Sequence, residues 1–363
     1  MSSKFRNYSK MNNLLSKVTI IIPTYNRQKY ALRNMLYWSN KGVTLHVLDG
    51  SVDSINDKEL NDCGQNIFYH HIPEDIFSRM DKAKDLVDTK YAILLCDDEL
   101  FIPSALAECV KFLDSSKETA SCIGRCMAFK YENNDLLVTE KFIPIKKSED
   151  RSNSIKKRIL FKATNYLPST YYALHRKKLF LTNLELINLI SSSPYTGEIF
   201  IEYSNTIHGH SKVLDNLMWL RSAENEPISN ESWNRETNLE LWYHNYEVQS
   251  EVINLLNAFS KIISKSSGIS QNVIKRYVIA GLNSMCAINY AFSDYKSLIL
   301  SFRAMFESKV NKLLGNHMYS GYKNRYGWIE FDDYKNKILD PKKIIYNVDE
   351  LSDIFQIIKD GYK

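Results

Sequence analysis

Apolar side chains, most of them β-branched, run almost unbroken through KVTIIIP (17–23), the pattern of a strand buried on both faces. The period then changes. In TYNRQKYALRNMLYWSNK (24–41), Tyr30, Leu32, Met35 and Leu36 recur at helical spacing, and Gly42 supplies the stop. VTLHVLDG (43–50), QNIFYHHIP (65–73) and KYAILLC (90–96) read as three further strands. FSRMDKAKDLVDT (77–89) and PSALAECVKFLD (103–114) read as helices, the second with Pro103 in its first turn. Strands alternating with helices predict an α/β fold with a mostly parallel, Rossmann-type sheet flanked by helices. Ligands of such sheets lie at the carboxyl ends of the strands. Thr24, Asp49 and the consecutive acids Asp97, Asp98 and Glu99 all fall on that edge.

From 120 to 180 the pattern turns to β. ASCIGRCMAFKY and LLVTEKFIPI flank ENND as a hairpin, and YLPSTYYALHRKKLF reads as a strand entering a helix. Between them, IKKSEDRSNSIKKRILFK (145–162) is basic and serine-rich, which suits either a solvated linker or a mobile basic flap over phosphate or an acidic surface. After about residue 226 amphipathic helices take over. Val248, Val252, Leu255, Leu256 and Phe259 form one stripe, Leu298, Phe302, Met305, Phe306 and Val310 another, and Leu351, Ile354, Phe355 and Ile358 a third. SKSSGIS (264–270) and the neighbourhood of Gly315 interrupt them. Two domains are expected: residues 1–225, α/β and ligand-binding, and residues 226–363, helical.

Composition narrows the function classes. A chain of 363 residues with 44% hydrophobic and 25% charged residues is ordinary for a globular protein. A net charge of +5 without concentrated basic stripes argues against a nucleic-acid partner. The six cysteines are scattered and only Cys122 and Cys126 approach metal-ligand spacing, so reduced thiols in a cytoplasmic protein are expected. The first residues lack the apolar core of a signal peptide, and no run approaches the ~20 apolar residues that span a bilayer, so any membrane contact should be peripheral. There is no phosphate-binding loop ending in Gly-Lys-Ser/Thr, no G-x-G-x-x-G fingerprint and no G-x-S-x-G elbow. If a nucleoside diphosphate binds, a carboxylate-held Mg²⁺ or Mn²⁺ is the obvious substitute for a glycine nest. The acids at 97–99 could instead cap the helix that begins near Pro103.

VTIIIPTYNRQKYALRNML, VLDGS and KYAILLCDDELFIPSAL resemble, in order and spacing, the nucleotide-binding half of inverting GT-A glycosyltransferases of the family 2 type. The resemblance covers roughly residues 17–225 and implies a GT-A-like fold. It implies a nucleoside site at Pro23, Thr24, Tyr25, Arg27, Asp49, Gly50 and Ser51, with Asp49 accepting from a uracil N–H. Asp97 would lie on the nucleotide side and Asp98, supported by Glu99, would hold Mn²⁺ or Mg²⁺. The alignment to Pro103 puts Cys96 where the family has its first aspartate, a departure; a D-x-E of Asp97 and Glu99 is the alternative register. Arg79 and Lys82 fall where the family often has nucleotide-side residues, although a solvated helix face explains them equally. Counting back from Gly209, the resemblance places the general base at Glu198, with Glu202 one turn later as competitor. His208 and His210 could reach the diphosphate or be loop polarity, and Arg221 could line the rim or form a surface pair. The implied activity is metal-dependent, inverting, hexosyltransferase-like transfer from a nucleotide-sugar, UDP-linked by preference, to a hydroxyl of a glycan or lipid-linked acceptor in bacterial surface polysaccharide synthesis. Polyol phosphate transfer from a CDP-activated donor and a non-catalytic sugar-nucleotide or glycan-binding module remain as alternatives.

Overall fold

The computed structural model describes residues 3–133, 135–167, 170–189, 194–225, 239–244, 249–287, 328–331 and 344–361. A mixed ten-stranded sheet forms the centre, flanked by helices, and a helical region follows it. The first half alternates β1 (Val18–Thr24), α2 (Gln28–Trp38), β2 (Thr44–Asp49), α3 (Asp57–Leu60), β3 (Ile67–His71), α4 (Ile76–Leu86) and β4 (Tyr91–Leu94), after a leading helix α1 (Ser3–Leu15). Strand β1 lies between β2 and β4, and all three, with β3 beyond β2, are parallel. The unbroken apolar run of β1 has its reason here. Ile20 and Ile22 face the core under α2, while Ile21 faces a second core with Leu48, Met80, Ala83 and Phe180.

The later half departs from a parallel sheet. β5 (Leu100–Phe101), β6 (Thr119–Glu132), β7 (Asp135–Lys141), β8 (Leu174–Arg176) and β9 (His210–Ser222) pair antiparallel except for β6 with β9. The β6–β7 hairpin falls where ENND predicts it, with Asn133 in the left-handed region. Two-residue β5 escaped the sequence reading because it is too short to show a period. It pairs Leu100 with Leu220 and Phe101 with Trp219, so the acids lie in a turn between two strands, not between a strand and a helix. Helix α5 (Pro103–Ser115) then begins with no side-chain cap at Ile102. Glu350 accepts from Ser104 N at 3.0 Å there, so the acids at 97–99 do not cap this helix.

Two sequence expectations need correction. Helix α2 forms as predicted, and Tyr30 and Met35 are buried with Leu32 partly so, but its inward face is wider and more polar, taking in Ala31, Arg33, Asn34, Tyr37 and Trp38, whereas Leu36 is exposed. Segment 145–162 is neither a solvated linker nor a flap. A 3₁₀ turn (Ile143–Ser148) leads into helix α6 (Ile155–Thr164), and two of its cations are buried. Arg158 donates to the carbonyls of Thr206 and Ile207, and Lys162 pairs with Glu202, so these two cations serve internal partners while Lys147, Arg151, Lys156 and Lys157 stay exposed.

Helices α7 (Lys177–Leu189) and α8 (Pro194–His208) follow. Beyond residue 226 the described residues pack in two places. Helix Gln249–Ser267 and the helix over 271–287 join α6 and α8 around Phe200, Tyr203 and Phe259. Helix Val348–Asp360 sends Leu351, Ile354, Phe355 and Ile358 into the main core, and β10 (Ile329–Glu330) extends the sheet beside β7. The stripe from Leu298 to Val310 lies outside the described residues. Among the described residues, no helix is long and apolar enough to cross a membrane.

Candidate functional site

The parallel register brings Thr24 opposite Asp49, and the turn after β4 brings Asp97 beside the end of β1. Thr24 Oγ1 donates to Asp97 Oδ2 at 2.8 Å. Arg27 Nη2 lies 3.2 Å from Asp97 Oδ1 and pairs more closely with Asp98 Oδ2. Asn225 Nδ2 also donates to Asp98 Oδ2, at 2.7 Å, and Tyr30 OH donates to Asn225 Oδ1 at 3.3 Å. Thr24, Arg27, Asp97 and Asp98 therefore form one contiguous cluster at the carboxyl edge. Burial pushes the Asp97 carboxyl up to about 6, against the opposing pull of Arg27 and Thr24.

Helix α2 holds this turn from behind. Asn34 Nδ2 donates to the carbonyls of Asp97 (2.7 Å) and Glu99 (3.0 Å), Arg33 Nη2 to that of Asp98 (2.7 Å), and Tyr37 OH to that of Phe101 (2.9 Å). These buried polar groups satisfy carbonyls that the turn leaves without a ladder partner. The sequence carried a signal for them: Arg33 and Asn34 stand one turn after Tyr30, on the same helix face, in an otherwise core-forming helix.

Glu99 points elsewhere. Its Oε2 accepts from Trp219 Nε1 at 2.7 Å and its Oε1 lies 3.6 Å from Arg221 Nε. Burial, and next Asp98, push its carboxyl up to about 8, opposed by Arg221 and Trp219. Arg221 lies over the rings of Phe142 and Trp219, and Tyr172 stacks on Trp219 at 4.5 Å. Strand β9 supplies Trp219 and Arg221, so only its pairing with β5 explains why they meet an acid over a hundred residues earlier.

Asp49 is fully buried and fully engaged. Its Oδ1 accepts from Ser51 N (2.8 Å) and Ser51 Oγ (2.5 Å), its Oδ2 from Gln28 Nε2 (2.8 Å) and Tyr69 OH (2.7 Å). Burial would raise its pKa, but the bonds from Ser51, Gln28 and Tyr69 outweigh it and hold the carboxyl below the usual value. All its acceptor positions are filled, so a nucleobase N–H gains access only by displacing a protein donor. Arg79 also turns inward, donating to the carbonyls of Thr24 and Leu48. Its guanidinium leaves no room for a side chain at Gly50, where a Cβ would stand 2.6 Å from Arg79 Cζ. Lys82 pairs with Glu74 at 2.6 Å on the exposed face of α4 and is not brought to the strand ends. Tyr25, in contrast, is 56% exposed beside Thr24, and Pro23 is half-buried in β1.

Helix α8 separates the two candidate bases. Glu202 is fully buried: Oε2 lies 2.9 Å from Lys162 Nζ, and Oε1 accepts from the backbone N–H groups of Thr170 (2.6 Å) and Tyr171 (3.0 Å). The expectation that Glu202 could act as a base fails on this geometry, since the carboxylate is fully buried and both oxygens are held by protein partners. Glu198 is half-buried, with Tyr166 OH 3.5 Å from its Oε2. Burial, and next the Glu202 carboxylate, push it up to about 7, opposed by Arg221. His208 bonds Ser204 O and Ser266 and faces helix Gln249–Ser267 rather than the strand ends. His210 opens β9 with its N–H on Glu118 O.

A divalent ion would find one usable oxygen in this arrangement. Asp98 Oδ1 has no protein partner among the described residues, whereas Asp98 Oδ2 and both oxygens of Asp97 are engaged and Glu99 is turned away. Among the described residues no group of three or more His, Cys, Asp or Glu side chains converges on one point. One carboxylate with substrate phosphates suits Mg²⁺ or Mn²⁺, so Asp98 fits that role and Glu99 does not.

No protein-family model matches the chain, and no curated protein does. Among solved structures the chain is similar to S. aureus TarS 1-349, at 13% identity over 76% of this chain and 91% of that chain, with a TM-score of 0.44. The same fragment in complex with UDP-GlcNAc is similar at 13% identity and the same coverage, with a TM-score of 0.45.

Proposed function

We propose that the protein is a glycosyltransferase of GT-A type that takes a sugar from a nucleoside diphosphate donor, UDP-linked by preference, to a hydroxyl of a glycan or lipid-linked acceptor. One observation carries the reading: Thr24, Arg27, Asp97 and Asp98 converge at the carboxyl edge of the parallel strands, and a half-buried carboxyl of raised pKa, Glu198, feels the charge of Arg221, which pairs with the neighbouring Glu99. Exposed Tyr25 offers a ring on which a nucleobase can stack. Asp98 would hold Mn²⁺ or Mg²⁺, which when bound neutralises charge on the diphosphate.

Glu198 is the general base in this reading. The acceptor oxygen bonds to the anomeric carbon as the bond from that carbon to the diphosphate oxygen breaks on the opposite face, and the hydroxyl proton passes to Glu198, which inverts the centre. A carboxylate with a pKa near 7 accepts a proton more readily than an ordinary one while remaining substantially ionised at neutral pH. Glu99 keeps Arg221 in place, whose charge is felt by Glu198, and Asn34 and Arg33 keep the acidic turn in register.

The test is thermal stability with nucleoside diphosphates, with and without Mn²⁺. UDP with Mn²⁺ should raise Tm, since a ligand of the folded state stabilises in proportion to occupancy, and chelation should remove most of the rise. An equal rise in chelator removes the metal from the proposal. The absence of a rise with any nucleotide removes the donor site.

A further inference from the structure

The strongest charge relationship at the strand edge is internal. Arg27 follows β1, and its guanidinium carbon stands 5.3 Å from the centroid of the Tyr30 ring. Its Nη2 spans both Asp97 and Asp98, and its side chain is one-quarter exposed. Two neighbouring carboxylates with reduced hydration repel each other, and Asp98 adds to the upward push of burial on Asp97. Arg27 offsets that repulsion. It covers Asp98 Oδ2, the oxygen that Asn225 also reaches, so a divalent ion entering at the open Oδ1 meets a carboxylate already paired with a cation and is repelled by that cation.

We propose that Arg27 is a resident counter-cation that a divalent ion displaces from Asp98, and that the displaced guanidinium moves onto the diphosphate of the donor. This rests on the glycosyltransferase reading and adds to it a coupling between metal and nucleotide. In the ligand-free protein the metal competes with a covalently tethered cation, so it binds weakly alone. A diphosphate draws Arg27 away, which frees Asp98, so each ligand strengthens the other, by the same factor in both directions. Arginine suits the exchange because its planar fork bridges paired carboxylates and matches phosphate oxygens equally well. Stacking on Tyr30 gives the guanidinium a fixed seat beside the acids.

The experiment is Mn²⁺ binding to the full chain, followed by calorimetry and by the electron paramagnetic resonance of free Mn²⁺, with and without UDP. Arg27→Gln should bind Mn²⁺ alone about tenfold or more tightly than the wild type, and the further gain from UDP should shrink. Its Tm without metal should fall, and Mn²⁺ should raise it more than it raises the wild type. Arg27→Lys, which keeps a charge but cannot bridge both carboxylates, guards against misfolding of the glutamine variant and should bind Mn²⁺ alone with intermediate affinity. If neither variant binds Mn²⁺ alone more tightly than the wild type, while the wild type still takes Mn²⁺ with UDP, the exchange is wrong and the metal site stands. If none of the three takes Mn²⁺ even with UDP, the metal reading falls and the exchange with it.

Discussion

Lys162 Nζ and Glu202 Oε2 stand 2.9 Å apart with both side chains almost wholly removed from solvent. This pair ties α6 to α8, and Glu202 also receives the backbone N–H groups of Thr170 and Tyr171. Glu198, one turn earlier, is half-buried and outside this pair. Glu198→Gln should therefore keep the fold and nucleotide binding while transfer falls by about 10²–10⁴-fold. Glu202→Gln should act through stability instead, costing about 3–5 kcal/mol because a charge is removed opposite buried Lys162. Transfer rates and thermal melts of the two variants separate these outcomes; a folded, active Glu198→Gln protein would leave the reaction without a base on this helix.

The raised pKa of Glu198 gives the pH profile its sign. The base works deprotonated, so kcat should rise with pH through about 7 and level off above it. Initial rates between pH 5.5 and 8.5 at saturating donor report this, and a rate that falls over that interval contradicts the assignment.

Asp98→Asn should abolish turnover with a near-normal melt, since it removes charge from the oxygen beside Arg27 without changing shape. Asp97→Asn should cost less turnover, because Thr24 Oγ1 can still donate to an amide oxygen at that position. Comparable rates for wild type and Asp98→Asn would undo the placement of the metal.

Glu99 makes a stability test independent of activity. Its carboxyl binds a proton up to a pH of about 8 in the fold, against about 4.3 when unfolded. The folded state thus binds the extra proton, so stability is greatest below about pH 4 and declines as pH rises towards 8. Glu99→Gln removes this titration, and its Oε can still accept from Trp219. Denaturant melts from pH 5 to 9 should show a flatter curve for the variant than for the wild type. Parallel curves would mean that Glu99 is ionised throughout.

Asp49 separates an organising role from a ligand contact. Asp49→Ala strips the acceptor from Ser51, Gln28 and Tyr69 together, so a stability loss of about 1–3 kcal/mol should accompany any weakening of UDP binding. Weaker UDP binding with an unchanged Tm would show instead that the carboxylate meets the nucleobase directly.

Much of this molecule was legible in its sequence. The unbroken apolar run of 17–23 and the strand–helix alternation to residue 115 dictate a parallel sheet, and its carboxyl edge follows from chain direction alone. Thr24, Asp97 and Asp98 could be placed together for that reason. What the tertiary structure alone decided is where each carboxylate points. Three consecutive acids in a turn project differently: Asp97 and Asp98 meet Arg27, and Glu99 meets β9, because the short strand β5 pairs with Leu220 and Trp219. No local period announces a two-residue strand. The buried partners of Arg79, Lys162 and Glu202 escape sequence reading for a related reason: a charge on a helix face looks solvated until the element packed against it supplies its counterpart.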